Sequence, residues 1–251
     1  MSKEMTTKPI IDLSVLSDFK AEGANKAIGL EATDRSDFKL PKIKLIQNTS
    51  VECTKGKVPA GSFYNSITKE HTTALACVLL ALGKSRVMWK KPFKRGEEPL
   101  CRSFDGITKW DGTRKCDSCK YQDWNKLPEG ENRPPCNMSY VWLGVTAGTE
   151  TPFRFIASGS SVSPTKDFIN TIVPTRLSPF AFKVTLRSEQ QSNESGVFYV
   201  AKYEVAGTST KEEYLRYRDL SEGMAAMFLE ANKIDPTDAQ EEPTEKTGEF
   251  F

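Results

Sequence analysis

One histidine serves a chain of 251 residues, and that scarcity narrows the chemistry open to it. Histidine is the side chain whose ordinary pKa suits proton transfer near neutral pH. A single copy, His71, leaves few options for acid–base catalysis. No G-x4-G-K-[ST] phosphate loop is present, and no acidic cluster stands out as a metal-nuclease centre. These absences point away from an enzyme. Long apolar runs are missing too. The longest, "TTALACVLLALG" at 72–83, falls short of the ~18–20 residues of a membrane span and reads as a buried strand. The opening "MSKEMTTKPIIDLS" lacks the charged-then-apolar design of a signal peptide. The expectation is an intracellular protein, where thiols stay reduced and clustered cysteines favour metal over disulfides. No internal repeat is visible.

What is present is unevenly placed. The formal charge of +2 conceals an acidic stretch, "IDPTDAQEEPTEKTGEFF" at 234–251, with six acids and one lysine. That stretch carries −5, which leaves +7 on the other 233 residues. A basic body with an acidic tail is an electrostatic signature of either self-competition or simple solubility.

The apolar pattern is mostly that of strands. "LPKIKLIQ" (40–47) alternates, "AGSFYNSIT" (60–68) leaves a turn, and 72–91 suits a central strand or hairpin whose basic second half emerges into solvent. "SYVWLGVTA" (139–147) and "TPFRFIASGS" (151–160) read as strands. "PFAFKVTLRSEQ" (179–190) and "GVFYVAKYEVAG" (196–207) flank a turn as a hairpin would. "SPTKDFINTIVP" (163–174) predicts a short helix, and 209–233 an amphipathic one capped by Ser209 or Thr210 with Glu213 in its first turn. The reading is mainly β with flanking helices: an antiparallel barrel or sandwich. Residues 1–38 form a loosely ordered arm, 39–233 the barrel domain with an insertion at 96–138, and 234–251 a disordered tail.

The insertion is rich in Gly, Pro, Asp, Asn and Cys and has no apolar period of its own, so something else must hold it. Its cysteines suggest what. "CDSC" places Cys116 and Cys119 at the spacing that lets two thiolates take adjacent corners of a tetrahedron, with Cys101 and Cys136 flanking almost symmetrically. Four thiolates predict a structural Zn2+ site with no open position for catalysis. A lone knuckle with spare thiols is the competing reading. His71 is either a substitute ligand or a strand-edge residue. Cys77 reads as a core residue and Cys53 as a loop thiol.

Just before the insertion lies "GKSRVMWKKPFKRG" (83–96), with Lys84, Arg86, Lys90, Lys91, Lys94 and Arg95 around Trp89 and Phe93. Cations meet phosphates, and flat rings stack on unpaired bases whatever their sequence. Duplex DNA hides its base faces, so this combination favours single strands. All four tryptophans (Trp89, Trp110, Trp124, Trp142) fall between 89 and 142, joined by Tyr121 and Tyr140. Trp142 and Tyr140 can equally be core, and Trp110 or Trp124 can pad the metal module.

On three features the sequence resembles the single-stranded DNA-binding proteins of tailed bacteriophages. These are the barrel pattern over about 40–207, the inserted zinc module, and the acidic tail ending in "GEFF". The likeness covers architecture across most of the chain and no continuous motif. "LPKIKLIQNTS" and "AGSFYNS" add a phage-like look. The resemblance implies an OB-like barrel and non-catalytic coating of single-stranded DNA in the host cytoplasm. It also implies a tail that recruits replication or recombination proteins, here through Phe250 and Phe251. Some members of that family bind zinc with three cysteines and one histidine, whereas this chain offers four cysteines. Two rivals remain: a zinc-containing factor acting on a host polymerase or nuclease, and a strand-annealing recombination protein.

Overall fold

The computed structural model describes residues 40–90, 98–123, 125–129, 134–194 and 196–231, with side chains to Met224 in the last of these. The predicted arm and tail, Trp124, and the cations Lys91, Lys94 and Arg95 with Phe93 lie outside the described residues.

Among the described residues, nine strands form one sheet: β1 (Lys42–Leu45), β2 (Phe63–Asn65), β3 (His71–Thr72), β4 (Ala74–Met88), β5 (Cys101–Ser103), β6 (Cys136–Thr146), β7 (Pro152–Ala157), β8 (Phe182–Asn193) and β9 (Gly196–Thr208). Their order is β3-β2-β1-β7-β6-β4-β8-β9, with β5 beside β4. Every pairing is antiparallel except β1 with β7, which is parallel, so the sheet is mixed and not the all-antiparallel one expected. Alternation in sequence shows which residues share a face. It does not show which neighbour a strand takes, and the parallel contact joins segments over a hundred residues apart.

The 72–91 stretch resolves into one strand, not a hairpin. β4 spans 15 residues and pairs with β6 along most of that length. Its other edge is shared: β8 takes Ala74–Val78 and β5 takes Arg86–Met88. In the gap between them, the Leu80 carbonyl accepts a hydrogen bond from Ser221 Oγ at 3.2 Å. A bulge between Leu79 and Ala81 turns Leu80 and Ala81 to the same side and shifts the alternation by one.

The sheet curls into a half-barrel. Its concave face holds the main core, including Ile43, Phe63, Cys77, Leu79, Trp142, Phe153, Phe155 and Leu186. Helix α2 (Val162–Ile172) closes this side. It brings Phe168 onto Tyr203, with ring centroids 4.9 Å apart and nearly parallel, and edge-on to Trp142 at 6.0 Å. Thr165, fully buried on the same helix, shares a 2.8 Å hydrogen bond with the Tyr203 hydroxyl. The convex face carries a second core of Val78, Leu80, Leu143, Val145 and Phe180 under helix α3 (Lys211–Ala231), which contributes Tyr217 and Met224. Central strands buried on both faces explain why the 74–82 run is continuously apolar where an exposed strand would alternate. A short helix α1 (Val51–Thr54) carries Cys53 in the connection from β1 to β2.

The curl brings the far strand β9 against the β1–β2 connection. Gln47 bridges them by acting as a surrogate peptide group: its Nε2 donates to the Tyr199 carbonyl at 2.9 Å, and its Oε1 accepts from the Tyr199 N–H at 2.8 Å. Asn48 Nδ2 donates to the Val197 carbonyl at 3.1 Å. Gly61, at φ +81°, passes so close that a Cβ there would fall 2.7 Å from the Tyr199 ring. No helix among the described residues is long and apolar enough to cross a membrane.

Candidate nucleic-acid interface and thiol cluster

The bulge in β4 decides where its basic half points. Past Ala81 the directly opposed pairs are Leu82 with Trp142, Lys84 with Tyr140, Arg86 with Met138 and Met88 with Cys136. Opposed residues share a face, so Lys84, Arg86 and Met88 continue the concave side beyond the core. Lys84 is exposed, with its Nζ 5.8 Å from the Tyr140 ring centroid. Arg86 is half-buried; its Nη2 approaches the Met138 sulfur at 3.9 Å and its Nε donates to the Gly106 carbonyl at 3.3 Å. Lys90 is exposed. Trp89 is 7% exposed, so its ring packs inside the protein in this conformation. Tyr140, at 5%, and Trp142, at 0%, are core residues, the alternative their strand positions allowed.

The four insertion cysteines come from three places. Cys101 and Cys136 both lie opposite Met88, one on β5 and one on β6, and so on the same face. Cys116 ends a small hairpin. Its rungs are the Thr108–Lys115 bridge, Lys109 N–H to the Arg114 carbonyl at 2.9 Å, and Cys116 N–H to the Ile107 carbonyl at 2.6 Å. Cys119 follows one turn later, its N–H donating to the Cys116 carbonyl at 3.0 Å. The entrance to the hairpin is fixed by Asp105, which accepts from Ser103 Oγ and from the N–H groups of Ile107 and Thr108 at 2.7–2.8 Å. Partial burial works against its charge, but these donors hold its carboxyl below the usual carboxylate range.

The thiols feel one another. Burial first, then the neighbouring Cys101, Cys116 and Cys119, push the Cys136 thiol up to about 11, against the opposing pull of Arg86. Cys101 is raised by burial and by Cys116 and Cys119, while Lys109 pulls it down. Among the described residues, no three cysteine, histidine or acidic side chains stand close enough to hold a metal ion together. Yet the donor set suits zinc: four soft sulfurs, all within electrostatic range, in a segment that buries little apolar surface. His71 sits exposed on β3, with the whole length of β4 between it and Met88. Cys77 is buried in the main core, and burial alone raises its thiol to about 12.

Sequence reasoning missed a cluster on the opposite side of β5. The Arg102 guanidinium lies between two rings, 5.2 Å from the centroid of Phe104 and 5.6 Å from that of Trp110. The Trp110 backbone N–H donates to the Arg102 carbonyl at 2.9 Å, which seats the hairpin tip against the edge of β5 away from β4. Trp110 is 55% exposed. The available signal was the two-residue spacing of Arg102 and Phe104, which puts both on one side of an extended segment, although β5 itself ends at Ser103. Strip and module meet: a Cβ on Gly106 would fall 2.7 Å from the Lys84 Cβ.

The curled sheet and its inserted module belong to a family of phage proteins. The family model described as Pam3 phage gp34-like protein matches residues 11–230, so the chain belongs to that family. No curated protein and no solved structure matches it.

Proposed function

We propose that this is a non-enzymatic single-stranded DNA-binding protein. It coats unpaired strands in the host cytoplasm during phage replication, recombination or repair. The half-barrel is read as OB-like, and the acidic segment 234–251 as a recruiter of replication or recombination proteins through Phe250 and Phe251. Cys101, Cys116, Cys119 and Cys136 would hold one structural Zn2+, replacing the core that the module lacks.

One observation carries this reading. β4 lines the core with Cys77 and Leu79, then leaves it with Lys84 and Arg86 on the same concave face, against the cysteine module. A rigid strand thus delivers cations to one surface beside the cysteine module, which suits a phosphate backbone.

The test is a titration of labelled oligo-dT by fluorescence anisotropy at two salt concentrations, with a duplex of the same length as comparator. Tight binding to oligo-dT, lost steeply with salt and weaker for the duplex, is expected. Lys84→Ala with Lys90→Ala should lower affinity and flatten the salt slope by about two phosphate contacts. A flat oligo-dT isotherm would move the function to a protein-binding factor.

A further inference from the structure

The Arg102–Trp110–Phe104 cluster pairs an exposed indole with a guanidinium on the surface of the module. Among the described residues of the module, Leu100, Ile107, Trp110 and Tyr121 stand more than two-fifths exposed, and Trp110 has the Arg102 guanidinium of another segment over its ring. Its position is fixed three times over. Its backbone is tied to Arg102, its hairpin is closed by the rungs to Arg114 and Lys115, and the turn beyond it is held by Asp111. Asp111 accepts from the Thr113 N–H and hydroxyl and from Lys109, which together keep its carboxyl well below the usual range.

The charge around the ring is as informative as the ring. Among the described residues, no carboxylate forms an ion pair with Arg102. Arg102 is held by ring faces instead, so its charge stays uncompensated beside an exposed indole. An apolar protein partner would gain little from an unpaired guanidinium beside the ring. A nucleotide supplies both complements, a planar base for the ring and a phosphate for the guanidinium.

We infer that Trp110, with Arg102 packed between it and Phe104, is a base-stacking platform for an unpaired nucleotide of single-stranded DNA. The inference rests on the single-strand reading above and adds a contact on the opposite side of β5 from Lys84. A strand using both must pass the β5 edge, where the Gly106 turn joins the two surfaces. Stacking reads the face of a base and not its edge, so the platform tolerates any sequence.

The test uses the full chain and two probes of equal length, oligo-dT and an abasic deoxyribose-phosphate oligomer, which keeps the phosphates and lacks the rings. Wild type should prefer oligo-dT. Trp110→Ala should weaken oligo-dT binding about 5- to 150-fold while leaving the abasic probe nearly unchanged, and Trp110→Phe should retain most of the affinity. Circular dichroism should be the same for all three proteins. If Trp110→Ala binds oligo-dT as wild type does, or loses both probes equally, the platform is overturned while the single-strand reading stands. If wild type fails to bind oligo-dT at all, that reading falls and takes the platform with it.

Discussion

At the scale of single residues, Gln47 bears more of the architecture than its polarity suggests. Two of its hydrogen bonds imitate a strand pairing with Tyr199. Gln47→Ala removes both and leaves peptide groups of β9 poorly satisfied, so a loss of about 1–3 kcal/mol is expected in urea unfolding. Gln47→Glu keeps the acceptor but turns a carboxylate toward the Tyr199 carbonyl. It should be destabilised at neutral pH and recover in acid, where the protonated group can donate again. None of this is readable in the sequence, because Gln47 and Tyr199 are 152 residues apart and neither belongs to a motif. The same limit applies at the candidate interface. The run 84–95 announced its cations, and Lys84 and Lys90 are indeed exposed. It could not announce that Trp89 turns inward while Trp110 stands out, since exposure depends on which elements cover a ring.

At the scale of elements, the sequence was most informative where local chemistry acts alone. Thr210 and Glu213 form the reciprocal cap at the start of α3. The Thr210 hydroxyl accepts the Glu213 N–H at 3.2 Å, and Glu213 accepts the Thr210 N–H at 2.8 Å. Thr210→Ala should cost about 1 kcal/mol in thermal or urea unfolding. Glu213 is also bound by Lys183 of β8 at 2.9 Å, and that ion pair, with the backbone donor, holds its carboxyl below the usual value. A lowered folded-state pKa stabilises above the unfolded value and is lost as pH falls through the folded one. Wild type should therefore exceed Glu213→Gln in stability at neutral pH, and the gap should close on acidification below about pH 4. The β8–β9 hairpin, α2 and β6 were likewise legible from alternation and helix signals. For β4 the sequence left a central strand and a hairpin both open, because its apolar first half does not alternate and its basic second half reads as a separate segment; the structure takes the single strand.

At the scale of the whole molecule, the barrel, the thiol module and the acidic tail are proposed to act on one ligand. Purified under metal-sparing conditions, the protein should carry about one zinc per chain by elemental analysis, and Cys116→Ser should lower that content. Chelation should also weaken oligo-dT binding, because the hairpin that presents Trp110 ends at Cys116. Deleting 234–251 removes −5 and should raise DNA affinity at low salt, with the advantage shrinking as salt screens it. Equal affinities at low salt would reject self-competition. The joining of β9 to the β1–β2 connection has a consequence beyond closure. β9 ends the sheet, and a bare terminal strand is a template on which a second chain can add itself. Here its outward groups at Val197, Tyr199 and Ala201 are taken by Asn48, Gln47 and Ser161. Side chains satisfy those groups but cannot extend a ladder, so this stretch of edge is kept from adding a strand of a second copy.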